Sequence, residues 1–291
     1  MPASPSRRDL LALLAVVPLM ACVRRVDGGP PGAPTSLQAI VQAARERSAP
    51  FALQGRFTVR LEGPGAAGTT KGALVLGQPD LFRVEVHSPV GPPMMLLASD
   101  GTSLHAWIAK GNRFYRGQDA AAVLDQLTRG AVGLSDVNQV LTGGLPLKDA
   151  PVHDLALGED GQVRLRMDGP EGVQVHARLD PSTGLLSRIE VVAGPETFGP
   201  GTLGPGLNLP VSLVLVEVLS TMRAGRDRLP ESIRMRLPTM GWTISLDFLS
   251  WDELGQIPEV FSLAPPAGAS EQELAAALRA LAEGGPAGQG D

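Results

Sequence analysis

Apolar and polar residues alternate along most of this chain with the period of two that half-buried strands require. The clearest run is Leu81 to His87, where Phe82, Val84 and Val86 point one way and Arg83, Glu85 and His87 the other. It stops at Ser88-Pro89-Val90-Gly91-Pro92-Pro93, because three prolines cannot donate to a ladder. The chain returns through Met94-Met95-Leu96-Leu97-Ala98 and reverses at Asp100-Gly101, a hairpin signal. It then runs through Leu104, Ala106 and Ile108 and turns at Lys110-Gly111-Asn112 into Phe114 and Tyr115. The pattern predicts an antiparallel meander with an apolar, proline-stiffened loop where a polar turn would be ordinary. Stiffening lets that loop project Val90, Met94 and Met95 as an apolar contact surface.

The same alternation brackets this stretch. Leu53, Phe57, Val59 and Leu61 mark a strand before it, and a Gly/Ala/Thr turn leads to another at Gly72 to Leu76. Later runs are Val152 to Leu157, Val163 to Met167, Val173 to Leu179, Ile189 to Val191, Val211 to Met222, Ile233 to Leu237 and Trp242 to Phe248. Val211 to Met222 is apolar on both faces, as a covered central strand would be. Val260-Phe261 reads as an added edge. Three segments instead carry the helical period. Thr35 to Arg47 has Thr35 and Gln38 as a capping box, the second helix carries Ala120, Val123, Leu124 and Leu127, and the third carries Val137, Val140 and Leu141 with Ser135 as N-cap. Ser270 and Glu273 cap a short fourth with Leu274, Leu278 and Leu281. Gly194 to Pro210 is a long Gly/Pro-rich loop. The fold class is mainly β with a few helices, built from roughly a dozen antiparallel strands. Too few helices are present to cover one apolar face on each strand, so the sheet closes on itself as a barrel. Phe82, Val84, Leu104, Leu165, Val175, Ile244 and Leu246 then point inward and wall an apolar cavity lidded by the Ala120 to Leu141 helices.

The first residues are a targeting segment. Arg7 and Arg8 precede an apolar run of 12 residues, Leu10 to Ala21, too short to span a bilayer, which needs ~20. Leu19-Met20-Ala21-Cys22 resembles the lipobox of bacterial lipoproteins. That resemblance implies cleavage before Cys22, the chain's only cysteine, and diacylglycerol on its thiol. The domain reading is a signal peptide over 1–21, a lipidated cysteine with a Gly/Pro tether over 22–34, a folded domain over 35–267 and an Ala/Gly-rich tail over 268–291. The absence of an aspartate after Cys22 points to the outer membrane in the sorting scheme of Gram-negative bacteria.

Composition narrows the rest. The 291 residues are 43% hydrophobic, enough for a core without disulfide staples, and the net charge of −5 argues against a nucleic-acid surface. The four histidines, His87, His105, His153 and His176, match no metal-ligand spacing, and neither a nucleophile elbow nor a phosphate-cradling loop occurs. No catalytic residue and no cofactor is therefore assigned. Arg83, Arg164, Arg166, Arg178, Arg234 and Arg236 share one face of their strands, which either lines a barrel mouth, binds an anionic headgroup or forms a wet sheet face.

The order of these elements carries a family resemblance. An N-terminal helix, a strand with Gly55 near its start, Gly72-Ala73-Leu74, a strand ending in Ser88-Pro89-Val90-Gly91, helices ending near Leu141 to Pro146, and closing long strands resemble the LolA/LolB-like proteins, closest to LolB. The resemblance covers roughly Thr35 to Ala264. It implies a half-open antiparallel β-barrel with a helical lid over an apolar cavity, and a role in receiving lipoproteins and inserting them in the outer membrane. In that family the residue matching Val90 is the exposed apolar one that helps insertion. Implied partners are outer-membrane lipid, lipoprotein acyl chains and a LolA-like periplasmic carrier, with the protein a monomer on the periplasmic face. The second reading is a non-catalytic structural or interaction lipoprotein of the same fold.

Overall fold

Strand pairing in the computed structural model begins where the alternation begins. The structure describes residues 36–47, 52–77, 80–88, 91–120, 133–147, 149–194, 210–224 and 227–277. The signal segment, Cys22, the tether, Pro89, Val90, the predicted helix beyond Ala120 and nearly all of the Gly194 to Pro210 loop lie outside them.

Helix α1 (Leu37–Glu46) starts at Ser36 rather than Thr35. The Ser36 side chain accepts a hydrogen bond from Ala39 N at 3.1 Å, while Ile40, Val41 and Ala44 form its buried stripe. A first meander follows, with β1 (Ala52–Gly63), β2 (Ala66–Gly77), β3 (Leu81–His87), β4 (Pro93–Asp100), β5 (Leu104–Ile108) and β6 (Arg113–Gly117). Helix α2 (Leu134–Leu141) leads to a second, with β7 (Val152–Leu157), β8 (Val163–Asp168), β9 (Val173–Leu179), β10 (Leu186–Ala193), β11 (Val211–Ala224), β12 (Asp227–Leu237) and β13 (Trp242–Glu253). A last short strand is β14 (Ser270–Glu273).

The described residues form one 14-stranded sheet in the order β14-β6-β5-β4-β3-β2-β1-β13-β12-β11-β10-β9-β8-β7. Both meanders are antiparallel, and they join where β1 pairs with β13 from Leu53↔Glu253 to Glu62↔Thr243. One continuous apolar cluster draws residues from α1, α2, β1 to β6 and β8 to β13, so the sheet wraps its inner face around the helices. β11 behaves as a central strand, with Val214 to Val218 all buried.

Several local expectations are corrected. Residues 66–71 are strand, because the β1–β2 hairpin turns at Pro64-Gly65, where Gly63 opposes Ala66. The N-cap of α2 is Gly133; Ser135 sits inside the helix, and Asp136 closes the first turn by accepting from Gly133 N at 2.8 Å. Val260-Phe261 is not a strand. The edge is instead taken by β14, which runs parallel to β6 where a helix cap was expected; helical residues begin at Leu274. The segment leading to β14 covers the outer side of β4 to β6. Leu263 and Ala269 pack there on Ala98 and Phe114, with Leu96 and Trp107 beside them.

Glycines in β1 and β2 make room for rings on the neighbouring strand. A Cβ at Gly55 would lie 2.9 Å from the Trp251 ring, and one at Gly72 would lie 2.5 Å from Phe57 and 2.6 Å from the Glu85 carbonyl oxygen. Phe57 in turn packs edge-on against Phe248, which stacks on Trp251 at 4.3 Å between centroids. The backbone contact at Gly72 cannot rotate away. Gly72→Ala should therefore lower stability by about 1–3 kcal/mol in urea unfolding, with an unchanged m-value.

Candidate functional site

The inner face of the sheet and the helices laid on it form the candidate site. Alternation in each strand turns Phe82 and Val84 of β3, Leu104 of β5, Leu165 of β8, Val175 of β9, and Ile244 and Leu246 of β13 inward. All seven join the one core cluster, and none is more than 3% exposed. Ile40, Val41 and Ala44 of α1 and Val137, Val140 and Leu141 of α2 belong to the same cluster.

The helices are fastened by side chains that reach backbone carbonyls. Asn138 in α2 donates to the carbonyls of Gly77 and Leu81, each at 3.2 Å, and so spans the β2–β3 connection. Arg47, just past α1, donates to the carbonyls of Thr142 at 3.2 Å and Arg228 at 2.5 Å, while Arg45 donates to that of Ala150. Leu145 N donates to Ala44 O at 3.1 Å and Leu186 N to Gly143 O at 2.9 Å, tying the segment after α2 to both α1 and the sheet. Burial draws the Arg47 guanidinium below its ordinary pKa, with the Asp227 charge opposing. These fasteners escaped the sequence reading. Asn138 and Arg47 were visible as a polar residue inside an apolar stripe and a cation after a helix, but neither pattern names its acceptor.

The contact loop divides in two. β3 and β4 fall out of step between Val86↔Met95 and His87↔Pro93, which leaves Met94 as the extra residue of a β-bulge. The bulge turns Met94 outward, 41% exposed, with its carbonyl accepting from Ala109 N. Met95 is corrected to the core: it resumes the inward alternation opposite Val86 and Ile108 and is 6% exposed. Val90 lies outside the described residues. Strand directions place the turns at Pro64-Gly65, Ser88 to Pro92, Ala109 to Asn112 and Pro238 to Gly241 at one end of the sheet, with Met240 also exposed there. The Asn138, Arg228 and Leu186 fastenings fall at the other end.

The six arginines read as one face lie on the outer side of the sheet, not at its mouth, and carboxylates accompany them. Arg83 pairs with Glu85 at 2.7 Å, Arg166 with Asp154 at 2.8 Å and Arg236 with Glu217 at 2.7 Å. Among the described residues no cluster of His, Cys, Asp or Glu could hold a metal ion, and no helix is long and apolar enough to cross a membrane.

No protein-family model matches the chain, and no curated protein sequence matches it. Solved structures do. A LolA superfamily protein from Nitrosomonas europaea superposes with a TM-score of 0.52 at 15% identity, over 79% of this chain and 99% of that one. The fold is LolA-like. A domain named as an outer membrane lipoprotein-sorting protein from Vibrio parahaemolyticus gives 0.53 at 11% identity, over 77% and 94%. A DUF1329 family protein from Desulfovibrio piger gives 0.54 at 9%, over 77% and 95%. LolA-like architecture accounts for the single curved sheet and its inner helices, and identities this low speak for fold alone.

A pair of carboxylates, Asp136 in the first turn of α2 and Asp80 in the β2–β3 connection, interacts through charge. Asp136 accepts from Gly133 N and from Leu147 N at 2.6 Å, yet burial still pushes its carboxyl above the usual range. Asp80 is pushed up by burial and then by the Asp136 charge, and its Oδ1 is buried without a hydrogen-bond partner among the described residues. A carboxyl with a raised folded pKa favours folding when protonated. That contribution is full below the ordinary value of 3.8 and is lost as pH rises through the folded value. Asp80→Asn should therefore raise the melting temperature at neutral pH, with the gain shrinking toward acid pH in scans across pH 4 to 8.

Proposed function

We propose that this chain is an outer-membrane lipoprotein that takes lipid or lipoprotein acyl chains between its inner sheet face and its helices, and that it assists lipoprotein insertion. The observation that carries the reading is a continuous apolar inner face closed by helices whose ends are fastened through polar contacts. The helices serve as a lid that opens when an acyl chain replaces their apolar contacts with the sheet. The LolA superfamily neighbour and the neighbour named for lipoprotein sorting support this reading. Acylated Cys22 holds the domain at the periplasmic face, and the tether of 12 residues, Val23 to Pro34, reaches at most ~40 Å. Partners are membrane lipid, acyl chains and a LolA-like carrier. The protein works as a monomer without catalysis.

One observation favours the second reading, a structural or interaction lipoprotein. The seven inner side chains are packed to 3% exposure or less, so a ligand must displace the helices to enter. An apolar fluorophore titrated against the delipidated protein separates the two. Acyl-chain binding predicts saturable fluorescence that added lipid displaces, and mass spectrometry of the purified protein should find co-purifying lipid. Fluorescence that never saturates, with no lipid found, selects the structural reading.

The loop and the anchor act at different strengths. Full burial of a methionine side chain contributes roughly 1.5–3 kcal/mol, too little to anchor a protein but enough to orient one. Cys22→Ala should release the protein from the membrane fraction. In the lipidated protein, Met94→Glu or Val90→Glu should leave the thermal melt within about 2 °C of wild type, a change of at most about 1 kcal/mol, and should weaken lipoprotein transfer to liposomes. Met95→Glu should instead cause loss of folding.

A further inference from the structure

The strand register sets three arginines side by side on the outer face of the sheet. Arg164 of β8 lies opposite Arg178 of β9, and Arg178 lies opposite Arg188 of β10. Like charges directly opposite one another destabilise a sheet. Their carboxylate partners sit at the two ends of the row. One oxygen of Asp160 serves both Arg164 at 3.1 Å and Arg178 at 3.0 Å, while Arg188 turns toward Glu190 at 3.2 Å and Glu217 at 3.5 Å. Among the described residues no ion pair spans the gap between Arg178 and Arg188. All three arginines line a groove of about 290 Å³, with Arg166, His176 and Asp154 on its next row. Each guanidinium carries five N–H donors in a planar fork, and shared carboxylate oxygens engage only part of that set.

We propose that the Arg164–Arg178–Arg188 row binds a phosphate-type oxyanion, either a phosphomonoester or a lipid headgroup phosphate, seated between Arg178 and Arg188. Planar guanidinium groups on adjacent strands suit the bidentate hydrogen bonds of a phosphate. The anion relieves the repulsion that the end carboxylates leave in the middle of the row. Asp154 and Glu190 on the groove wall repel an extended polyanion and restrict the ligand to one phosphate group. The site lies on the opposite face of the sheet from the apolar core, so it stands or falls independently of acyl-chain binding.

Calorimetric titration of the full chain with inorganic phosphate at low salt should show saturable binding. Arg178→Gln and Arg188→Gln should each weaken it about tenfold, with a melting temperature equal to or above wild type. Arg188→Lys keeps the charge and should still lose affinity. A second arm floats the Cys22→Ala chain with phosphatidic acid vesicles against phosphatidylcholine vesicles. Flotation that needs phosphatidic acid and falls in Arg178→Gln identifies a headgroup; phosphate binding without it identifies a soluble phosphomonoester. The proposal is overturned if millimolar phosphate does not bind and flotation ignores Arg178→Gln, or if binding survives both glutamine variants unchanged.

Discussion

Among the described residues, the pairing of β1 with β13 is the one strand pairing that joins the two meanders. Each meander is built from local hairpins, but this seam brings residues near Leu53 against residues near Glu253, so a long loop must close before the contact forms. Without the seam neither half could shield its apolar face. The six strands of the first meander would present Phe82, Val84, Leu97 and Leu104 to water, and the second would present Leu165, Val175 and Ile233. With the seam the two faces become one concave surface, and short helices suffice to cover it. Ring packing concentrates there as well. Phe248 contacts both Phe57 and Trp251, and the Trp251 indole N–H donates to Pro230 O at 2.8 Å, extending the cluster to β12.

β-Bulges are the second device, and they account for two exposed apolar side chains within the strands, Met94 and Leu249. Antiparallel register admits one orientation per residue, so an exposed apolar side chain in a strand calls for a local cause. At β1–β13 the register steps from Arg56↔Ser250 to Phe57↔Phe248, which leaves Leu249 unpaired and 63% exposed. The step between β3 and β4 does the same to Met94. Both are consequences of ladder geometry, yet only Met94 lies beside the proline loop. A bulge at a sheet end also raises local twist.

Period-two alternation made most of the strands legible from sequence, because each has one apolar face and a turn residue at its end. The inward set from Phe82 to Leu246 follows directly from that parity. Legibility failed where a signal depends on a partner strand. Residues 66–71 read as a turn since Gly, Ala and Thr carry no alternation, and only pairing with β1 makes them strand. Met94 and Met95 are indistinguishable in a run of apolar residues, and the register slip that separates them belongs to the β3–β4 pair. Ser270 to Glu273 carries a helix-cap pattern, but the free edge of β6 competes for its backbone and wins, because an open edge offers a row of unmet hydrogen bonds. The lid fastenings depend on side chains meeting backbone carbonyls more than 50 residues away in sequence, Asn138 with Gly77 among them, and no local pattern encodes such a meeting.

A packed inner face and an acyl-chain site are compatible only under a particular energetic condition. The neutral fastenings of α1 and α2 each contribute about 0.5–1.5 kcal/mol net and those from the Arg45 and Arg47 guanidinium groups about 1.5–3, since water replaces them when they open. Stripping the apolar stripes is costlier. Exposing Ile40, Val41, Val137, Val140 and Leu141 costs about 8–15 kcal/mol, at roughly 1.5–3 kcal/mol for each large side chain. An empty open barrel would therefore be rarely populated, and a lid held mainly by apolar contact cannot release into water alone. An acyl chain changes the balance, because it supplies apolar surface to the same side chains as the helices withdraw. Opening then exchanges one apolar contact for another, and the residual barrier falls toward the sum of the carbonyl hydrogen bonds. The end of the sheet with the proline loop and Met94 is where such an exchange would begin, since the fastenings of Asn138 to Gly77 and Leu81 and of Arg47 to Arg228 hold the opposite end.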